Sequence, residues 1–191
     1  MGTMGRTNKQ TKPRCGTCRL SRFLRNAGGL AAVEFALIFP LMLVFYFGAF
    51  EATQMLTAGR RVSAVAYTAA DLVAQAASVN NADMAAVLAA SSALLYPRST
   101  KPLTIRVTSV VANSGGVNKV AWSDGHNITP RTVNSNVTLP TGLTSAGTSV
   151  IFVEVTYAYS SPVSETITDS IDFEEVAYLK PRRAVSVTRT N

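Results

Sequence analysis

The hydrophobic pattern of the chain is dominated by one uninterrupted apolar run, which extends from residue 30 to residue 50. Glu34 is its only ionisable side chain, and Pro40 lies near its middle. A helix rises about 1.5 Å per residue, so about 20 residues cover roughly 30 Å, the hydrocarbon thickness of a bilayer. Membrane helices tolerate proline when neighbouring groups satisfy the carbonyl that it frees. The pattern therefore predicts a transmembrane segment over residues 30–50.

Helical periodicity continues beyond the apolar run. Between residues 51 and 78, apolar side chains recur at helical spacing, with Gly59 as the one weak point. Asn80, Asn81 and Asp83 predict a break and a new N-cap, after which a second helix extends to Pro97. Residues 51–97 are therefore predicted to form helices outside the membrane.

The second half of the chain changes to the alternation that is typical of β-strands. Strands rich in Val, Ile and Thr are predicted at residues 103–112, 117–122, 149–160 and 184–188. A glycine turn at residues 114–116 joins the first two as a hairpin, and the polar segment 124–147 is predicted to be a long exposed loop. The elements together predict an α+β fold in which a small antiparallel sheet, from residues 98–191, packs on the helix.

The net positive charge of the chain is confined to its N-terminus. The formal net charge is +7, from 18 Lys and Arg against 11 Asp and Glu. Seven of the basic residues and no acidic residue lie in residues 1–29, so the remaining 11 basic residues balance the 11 acidic ones. Basic flanks of a membrane segment stay in the cytoplasm, which directs everything after residue 50 to the opposite side. The same distribution, without interleaved aromatic residues, argues against nucleic-acid binding.

Glu34 requires a partner, because a carboxylate at the centre of a membrane helix costs about 2.5–3.5 kcal/mol. It lies shortly after the glycine pair Gly28-Gly29. If the chain is cut after Gly29, the new α-amino group of Leu30 lies one helical turn before this carboxylate, or faces Glu34 of a neighbouring subunit. Such a pair contributes little net stability because both ions must be desolvated, but an unpaired member is costly. The spacing therefore predicts an ion pair that fixes the stagger between subunits.

The residues around the glycine pair resemble a known family. A basic leader, a glycine at the cut, Glu34 followed by the aromatic Phe35, and a long apolar helix resemble a type IV prepilin. Residues 32–37, AVEFAL, with Pro40 and the motif KPRR at residues 180–183, resemble the TadE/TadF-like minor pseudopilins of the tight-adherence (Flp) pilus system. The chain departs from many type IV pilins because Leu30, not an aromatic residue, would follow the cut.

This resemblance implies a pilin-like fold and a minor role in the assembly of type IVb pili that mediate surface adhesion. Gly28, Gly29 and Leu30 would form the processing site, and Glu34 and Phe35 would act in assembly. The implied partners are a prepilin peptidase, other pilins and pseudopilins of the system, the inner-membrane assembly platform and the lipid bilayer. The chain would cross the bacterial inner membrane once, with its N-terminus in the cytoplasm and its C-terminal domain in the periplasm or in a surface pilus.

Three groups of residues suggest other chemistry, and the sequence favours a structural interpretation of each. Cys15 and Cys18 form a CxxC motif, but no second ligand pair completes a zinc site, and both would leave with the leader. Ser123, Asp124 and His126 lie in turn-like sequence, which favours a surface loop over a catalytic triad. The third group is an acidic cluster that could suggest a calcium site but lacks the ligand spacing of a calcium loop. It is predicted to form a solvated charged segment and consists of Asp169, Asp172, Glu174 and Glu175. We therefore expect no catalytic, cofactor or metal site.

Two other functions are compatible with this topology. An uncleaved, signal-anchored extracytoplasmic adaptor of a secretion or adhesion machine differs from a pseudopilin in that the bond after Gly29 stays intact. A secreted enzyme is disfavoured because the sequence contains no catalytic constellation. A cleaved secretory signal has a shorter apolar region, roughly 7–15 residues, and a small-residue site that the sequence lacks. The sequence also leaves open whether Arg182 and Arg183 cap a structural element or meet a partner.

Overall fold

The computed structural model describes residues 27–160 and 170–191. Its elements, in chain order, are α1 (Ala27–Ala74), β1 (Ser78–Val79), α2 (Asn81–Ala93), β2 (Leu103–Ala112), β3 (Asn118–His126), β4 (Ser149–Tyr159), β5 (Ile171–Leu179) and β6 (Thr188–Arg189). Two helices and an antiparallel sheet make an α+β fold, as the hydrophobic pattern predicted. The chain divides into two compact units, Met1–Phe50 and Glu51–Asn191.

The described part of the first unit is the N-terminal portion of α1. Every side chain from residue 30 to residue 50 is exposed, and Pro40 lies inside the helix. The mean hydropathy reaches 2.2, and the helix is long and apolar enough to cross a membrane. Apolar surface left in water costs roughly 25 cal/mol per Å², so this segment requires lipid or other apolar helices around it. One such helix near the N-terminus fits a single-pass membrane protein.

The second unit is built on a four-stranded antiparallel sheet with strand order β3-β2-β4-β5. Val153 in β4 lies opposite Val107 in β2 and Ala177 in β5. A bulge between Ser109 and Val110 shifts the register of β2 against β3. Since successive side chains of a strand point to opposite faces, each strand can contribute to the packing on both sides of the sheet.

The main hydrophobic core joins the second part of α1 to one face of the sheet. Small and β-branched side chains of the helix enter it at helical spacing: Val62, Val65, Ala66, Ala69, Ala70 and Val73. The sheet contributes alternate residues of its two central strands: Ile105, Val107, Ile151, Val153 and Val155. Each fully buried valine or isoleucine stabilises the fold by about 1.5–3 kcal/mol. This core therefore attaches the helix to the sheet.

A smaller cluster covers part of the opposite face of the sheet. Val137 and Leu139, from the connection between β3 and β4, pack with Val110, Val120 and Phe152. The prediction of an exposed loop over residues 124–147 is wrong at these two positions, and also where β3 extends to residue 126. The physical reason is that the outer face of the sheet carries apolar residues here, which the connection buries.

β5 is the second correction to the predicted elements. Asp172, Glu174 and Glu175 lie in this edge strand, which was not predicted; Asp172 and Glu174 are exposed to solvent as expected, Glu175 is half-buried, and Asp169 lies outside the described residues. The strand forms because its backbone pairs with β4 along its whole length. Phe173 packs toward α1, where a Cβ atom on Gly59 would meet its ring at 3.5 Å. Gly59 thus allows helix and edge strand to approach closely.

The break after α1 follows the prediction, but the helix after it is shorter. Asn80 is the N-cap of α2: its side chain accepts from the Asp83 N–H at 2.8 Å, and Asp83 accepts from the Asn80 N–H at 3.1 Å. α2 ends at Ala93, four residues before Pro97. Three tighter i to i+3 hydrogen bonds continue the chain to Tyr96. These turns precede the proline because proline disfavours helical geometry in the residue before it.

The last residues of the chain, 180–191, form what we name the C-terminal strap. The predicted strand at residues 184–188 is wrong in position: the strand is Thr188–Arg189, and it pairs in parallel with Ser78–Val79. The Arg182 N–H donates to the Ala74 carbonyl at 2.8 Å, at the end of α1. The Trp122 indole N–H donates to the Val187 carbonyl at 2.7 Å. The strap therefore contacts both the end of α1 and strand β3 of the sheet.

Candidate processing and assembly site

The predicted processing residues lie at the beginning of α1. The helix begins at Ala27, so Gly28 and Gly29 occupy its first turn, and Leu30 is 64% exposed. Glycine in a helix is about 1 kcal/mol less favourable than alanine, which makes this turn an inexpensive part of the helix to unwind. Residues 1–26, with Cys15 and Cys18, lie outside the described residues. The bond between Gly29 and Leu30 therefore lies within the first turn of α1.

Glu34 lies one turn further along the same helix. Four residues of helix span about 6 Å, and helical side chains lean toward the N-terminus, so the carboxylate is directed back toward Leu30. The side chain is exposed, and among the described residues it forms no hydrogen bond or salt bridge. Its neighbours Val33 and Phe35 are 53% and 62% exposed. Glu34 is thus a single carboxylate within an apolar surface.

Phe35 belongs to an aromatic pair that the sequence analysis did not identify. Its ring centroid lies 5.3 Å from that of Phe39, with the two planes tilted by 31°. Residues four apart on a helix are neighbours, and such aromatic contacts contribute about 0.5–1.5 kcal/mol beyond the area they bury. Adjacent residues lie about 100° apart on a helix, so Phe35 and Glu34 face different directions. The two predicted assembly residues therefore do not act as one contact.

Cleavage after Gly29 would change the charge of this site. The new α-amino group of Leu30 carries a positive charge at neutral pH, within one turn of a carboxylate that has no partner in the described chain. Opposite unit charges 4 Å apart attract by about 4 kcal/mol at an effective dielectric of 20, before desolvation is counted. The positive end of the helix dipole favours the Glu34 carboxylate but disfavours the new cation beside it. Such a cut would therefore convert a costly single charge into one half of an ion pair.

Ser123, Asp124 and His126, which could have suggested a catalytic triad, are engaged separately. The Ser123 hydroxyl donates to the Val107 carbonyl at 3.2 Å, and Asp124 forms a salt bridge with Arg189 at 2.8 Å. No hydrogen bond joins the three side chains to one another within residues 27–160 and 170–191. In the same residues no three His, Cys, Asp or Glu side chains are grouped for a metal ion.

A polar cluster just after the apolar run was not predicted from the sequence. The Tyr159 hydroxyl donates to Glu51 Oε1 at 2.9 Å, while Glu51 Oε2 is buried and has no hydrogen-bond partner within residues 27–160 and 170–191. Burial raises the pKa of Tyr159, and the hydrogen bond and negative charge of Glu51 raise it further. The Arg98 guanidinium lies over the Tyr159 ring at 4.9 Å, which lowers that pKa in part. These residues are separated by up to 108 positions in the chain, so only the fold brings them together.

The match to known proteins falls on the segment that contains the processing and assembly residues. Residues 29–71 match the family model described as TadE-like protein. No curated protein and no solved structure matches the chain. The matched segment begins at Gly29 and contains Leu30, Glu34 and Phe35. Together with the apolar helix, this match shows that residues 29–71 are similar to the TadE-like family, which supports a TadE-like protein of the tight-adherence (Flp) pilus system.

Proposed function

We propose that this TadE-like chain is a minor pseudopilin that takes part in the assembly of Flp-type pili and in surface adhesion. In this proposal a prepilin peptidase cuts the chain after Gly29, and the product begins at Leu30. The observation that carries it is the carboxylate of Glu34, which has no partner among the described residues and lies one helical turn after a glycine pair, on the exposed apolar part of α1. The chain acts by binding other subunits and not as an enzyme.

The proposed location is the bacterial inner membrane. The seven basic residues before residue 30 hold the N-terminus in the cytoplasm, and the unit Glu51–Asn191 lies in the periplasm or in the surface pilus. The proposed partners are the prepilin peptidase, the inner-membrane assembly platform, and other pilins and pseudopilins. The exposed apolar side chains of α1 support this proposal, because they can be covered first by lipid and then by neighbouring helices.

Processing is tested by intact mass. The chain purified from native membranes is expected to begin at Leu30. Gly29→Phe is expected to block the cut, because a bulky side chain replaces the small residue at the scissile bond. Gly48→Phe is the matched control, since a Cβ atom at Gly48 meets nothing within 4 Å and the position is far from the cut. A full-length native protein would contradict the proposal and favour the uncleaved adaptor.

The role of Glu34 is tested separately from insertion. Glu34→Leu is expected to insert at least as well as the natural chain, because it removes a carboxylate whose cost is about 2.5–3.5 kcal/mol at the membrane centre and smaller near the end of the segment, where Glu34 lies. It is nevertheless expected to impair pilus formation, since the new α-amino group of Leu30 then has no partner. Val33→Leu, which changes an exposed neighbouring side chain without altering charge, is the control and is expected to leave pilus formation intact. Normal piliation with Glu34→Leu would contradict the pairing argument.

A further inference from the structure

Two half-buried arginines of the second unit differ from the arginines that form salt bridges. In the described part of that unit, salt bridges to carboxylates hold Arg106, Arg131, Arg182 and Arg189. Arg61 and Arg98 are half-buried, yet within the same described residues neither forms a salt bridge; Arg61 donates to the Leu95 carbonyl and Arg98 to the carbonyl and side-chain oxygens of Gln54, all of them uncharged. A half-buried guanidinium without a carboxylate keeps its full positive charge available to a ligand.

Both of these arginines line one cleft. It has a volume of about 270 Å³ and is lined by Gln54, Thr57, Arg61, Pro97 and Arg98. The volume lies just below that of sites for drug-sized ligands, so the cleft suits a single small group. Two guanidinium groups, an amide and a hydroxyl therefore meet in a space of that size.

The hydrogen bonds of the two arginines position them without using all their donors. Arg98 Nη2 donates to the Gln54 carbonyl at 3.0 Å and to Gln54 Oε1 at 2.8 Å, so Nε and Nη1 take no part in these bonds. Arg61 donates through Nη1 to the Leu95 carbonyl at 3.3 Å. The remaining N–H groups are those that a planar guanidinium uses to bind phosphate or carboxylate in pairs.

The nearest acidic side chain along α1 is already engaged. Glu51 precedes the cleft by one turn, and its Oε1 accepts from the Tyr159 hydroxyl at 2.9 Å. Arg98 lies on the other side of that interaction, over the Tyr159 ring. The two arginines outnumber this one carboxylate, so an anion in the cleft meets a net positive site.

The position of the cleft in the chain indicates the source of the anion. Gln54 follows the last residue of the apolar run, Phe50, by four residues, so their Cα atoms are at most about 14 Å apart in any conformation. Headgroup layers add several ångströms on each side of the hydrocarbon core. Beside the cleft, Tyr96 is 80% exposed and Leu94 is 40% exposed. An exposed tyrosine is typical of the interface between membrane and water.

We propose that this cleft binds the phosphate of an anionic phospholipid headgroup in the leaflet next to the second unit. Arg61 and Arg98 bind the phosphate oxygens, and Tyr96 lies in the interfacial layer beside them. The proposal rests on the membrane insertion that is part of the proposed function, and it is independent of cleavage after Gly29. Bound lipid would attach the unit Glu51–Asn191 to the membrane surface through a second contact besides α1.

The test measures lipid retained by the full chain in phosphatidylcholine nanodiscs, with and without phosphatidylglycerol, by native mass spectrometry. Arg61→Gln and Arg98→Gln are each expected to weaken phosphatidylglycerol retention about tenfold, as for the loss of a charge-assisted contact. Arg60→Gln is the matched control, because Arg60 is an exposed neighbour on the same helix that does not line the cleft. It is expected to change retention less than about twofold, since exposed charges are screened.

Arg61→Lys keeps the charge and is expected to restore part of the affinity, which separates binding from a folding defect. Equal losses in Arg60→Gln and Arg61→Gln would mean diffuse surface charge and would overturn the site. If inorganic phosphate at a similar concentration displaces the lipid, the cleft binds free phosphate equally well, and a lipid headgroup as the source of the anion is contradicted. A chain that does not insert contradicts the proposed function as well, whereas an inserted chain without lipid preference contradicts only this proposal.

Discussion

The C-terminal strap is held by a salt bridge whose strength can be predicted from its surroundings. Arg189 Nε and Nη2 donate to the two carboxylate oxygens of Asp124 at 2.8 and 3.3 Å, and the side chains are only 18% and 27% exposed. Burial disfavours the charge on Arg189, but the hydrogen bond to Asp124 has the larger effect and raises the pKa of the guanidinium. This salt bridge is bidentate and partly desolvated, so its contribution to stability is expected to lie between those of exposed and fully buried salt bridges.

We expect Arg189→Gln to destabilise the second unit by about 2 kcal/mol. The value lies between the 0.2–1 kcal/mol of exposed pairs and the roughly 3–5 kcal/mol for breaking a buried pair. Its partner for a double-mutant cycle is Asp124→Asn, and the coupling energy between the two changes is expected to be about 1–2 kcal/mol. The assay is denaturation of the full chain in micelles, followed by the fluorescence of Trp122, which bonds to the strap.

A second salt bridge in the same strap supplies the comparison. Arg182 and Asp71 lie 2.6 Å apart, but their side chains are 61% and 36% exposed. Because solvent screens this pair and its side chains lose entropy on pairing, we expect a coupling energy below about 0.5 kcal/mol. Equal coupling in the two cycles would refute the argument that burial and paired donors determine the strength. A larger coupling energy for Arg182 and Asp71 than for Arg189 and Asp124 would contradict the argument in the same way.

Further predictions concern pH and backbone space. Tyr159 has a raised pKa in the folded unit, so its contribution to stability is present below its unfolded pKa of 10.0 and is lost as pH rises through the higher folded value. Tyr159→Phe is therefore expected to reduce the dependence of the denaturation midpoint on pH in that alkaline range. An unchanged dependence would contradict this. A Cβ atom on Gly125 would lie 2.0 Å from the Ile128 carbonyl oxygen, so Gly125→Ala is expected to destabilise by about 2 kcal/mol or more in the same assay. Gly115→Ala, where the closest atom is a side-chain oxygen at 3.4 Å, is expected to cost less than about 1 kcal/mol, and equal losses would count against the steric argument.

The features that the sequence predicted well are local ones. The apolar run can be predicted from its composition alone, and the N-cap at Asn80 can be predicted from the side chain of Asp83 three residues later. The helix around Leu30 and Glu34 likewise forms as predicted, whereas the pairing of the two residues after a cut stays a prediction. The confirmed predictions depend on residues within a few turns of one another, so the local chain contains the whole cause.

The features that the sequence missed depend on distant partners. β5 carries acidic residues that look solvated, and it becomes a strand because β4 offers an edge to pair with. Val137 and Leu139 stand among polar residues, and only the apolar outer face of the sheet explains their burial. The cleft was missed for the same reason, since Arg61 and Arg98 come from different elements and neither has a local signal. Tertiary packing outweighs local pattern at each of these places.

The parallel pairing of β1 with β6 has a consequence for biogenesis. Residues 182–189, which complete this pair and cap the end of α1, follow their partners in β1 and α1 by more than 100 positions. The apolar part of α1 is therefore synthesised well before them. The unit Glu51–Asn191 reaches its final stability only when these residues are present, so a product that ends before residue 182 should keep the apolar helix but be more sensitive to proteases.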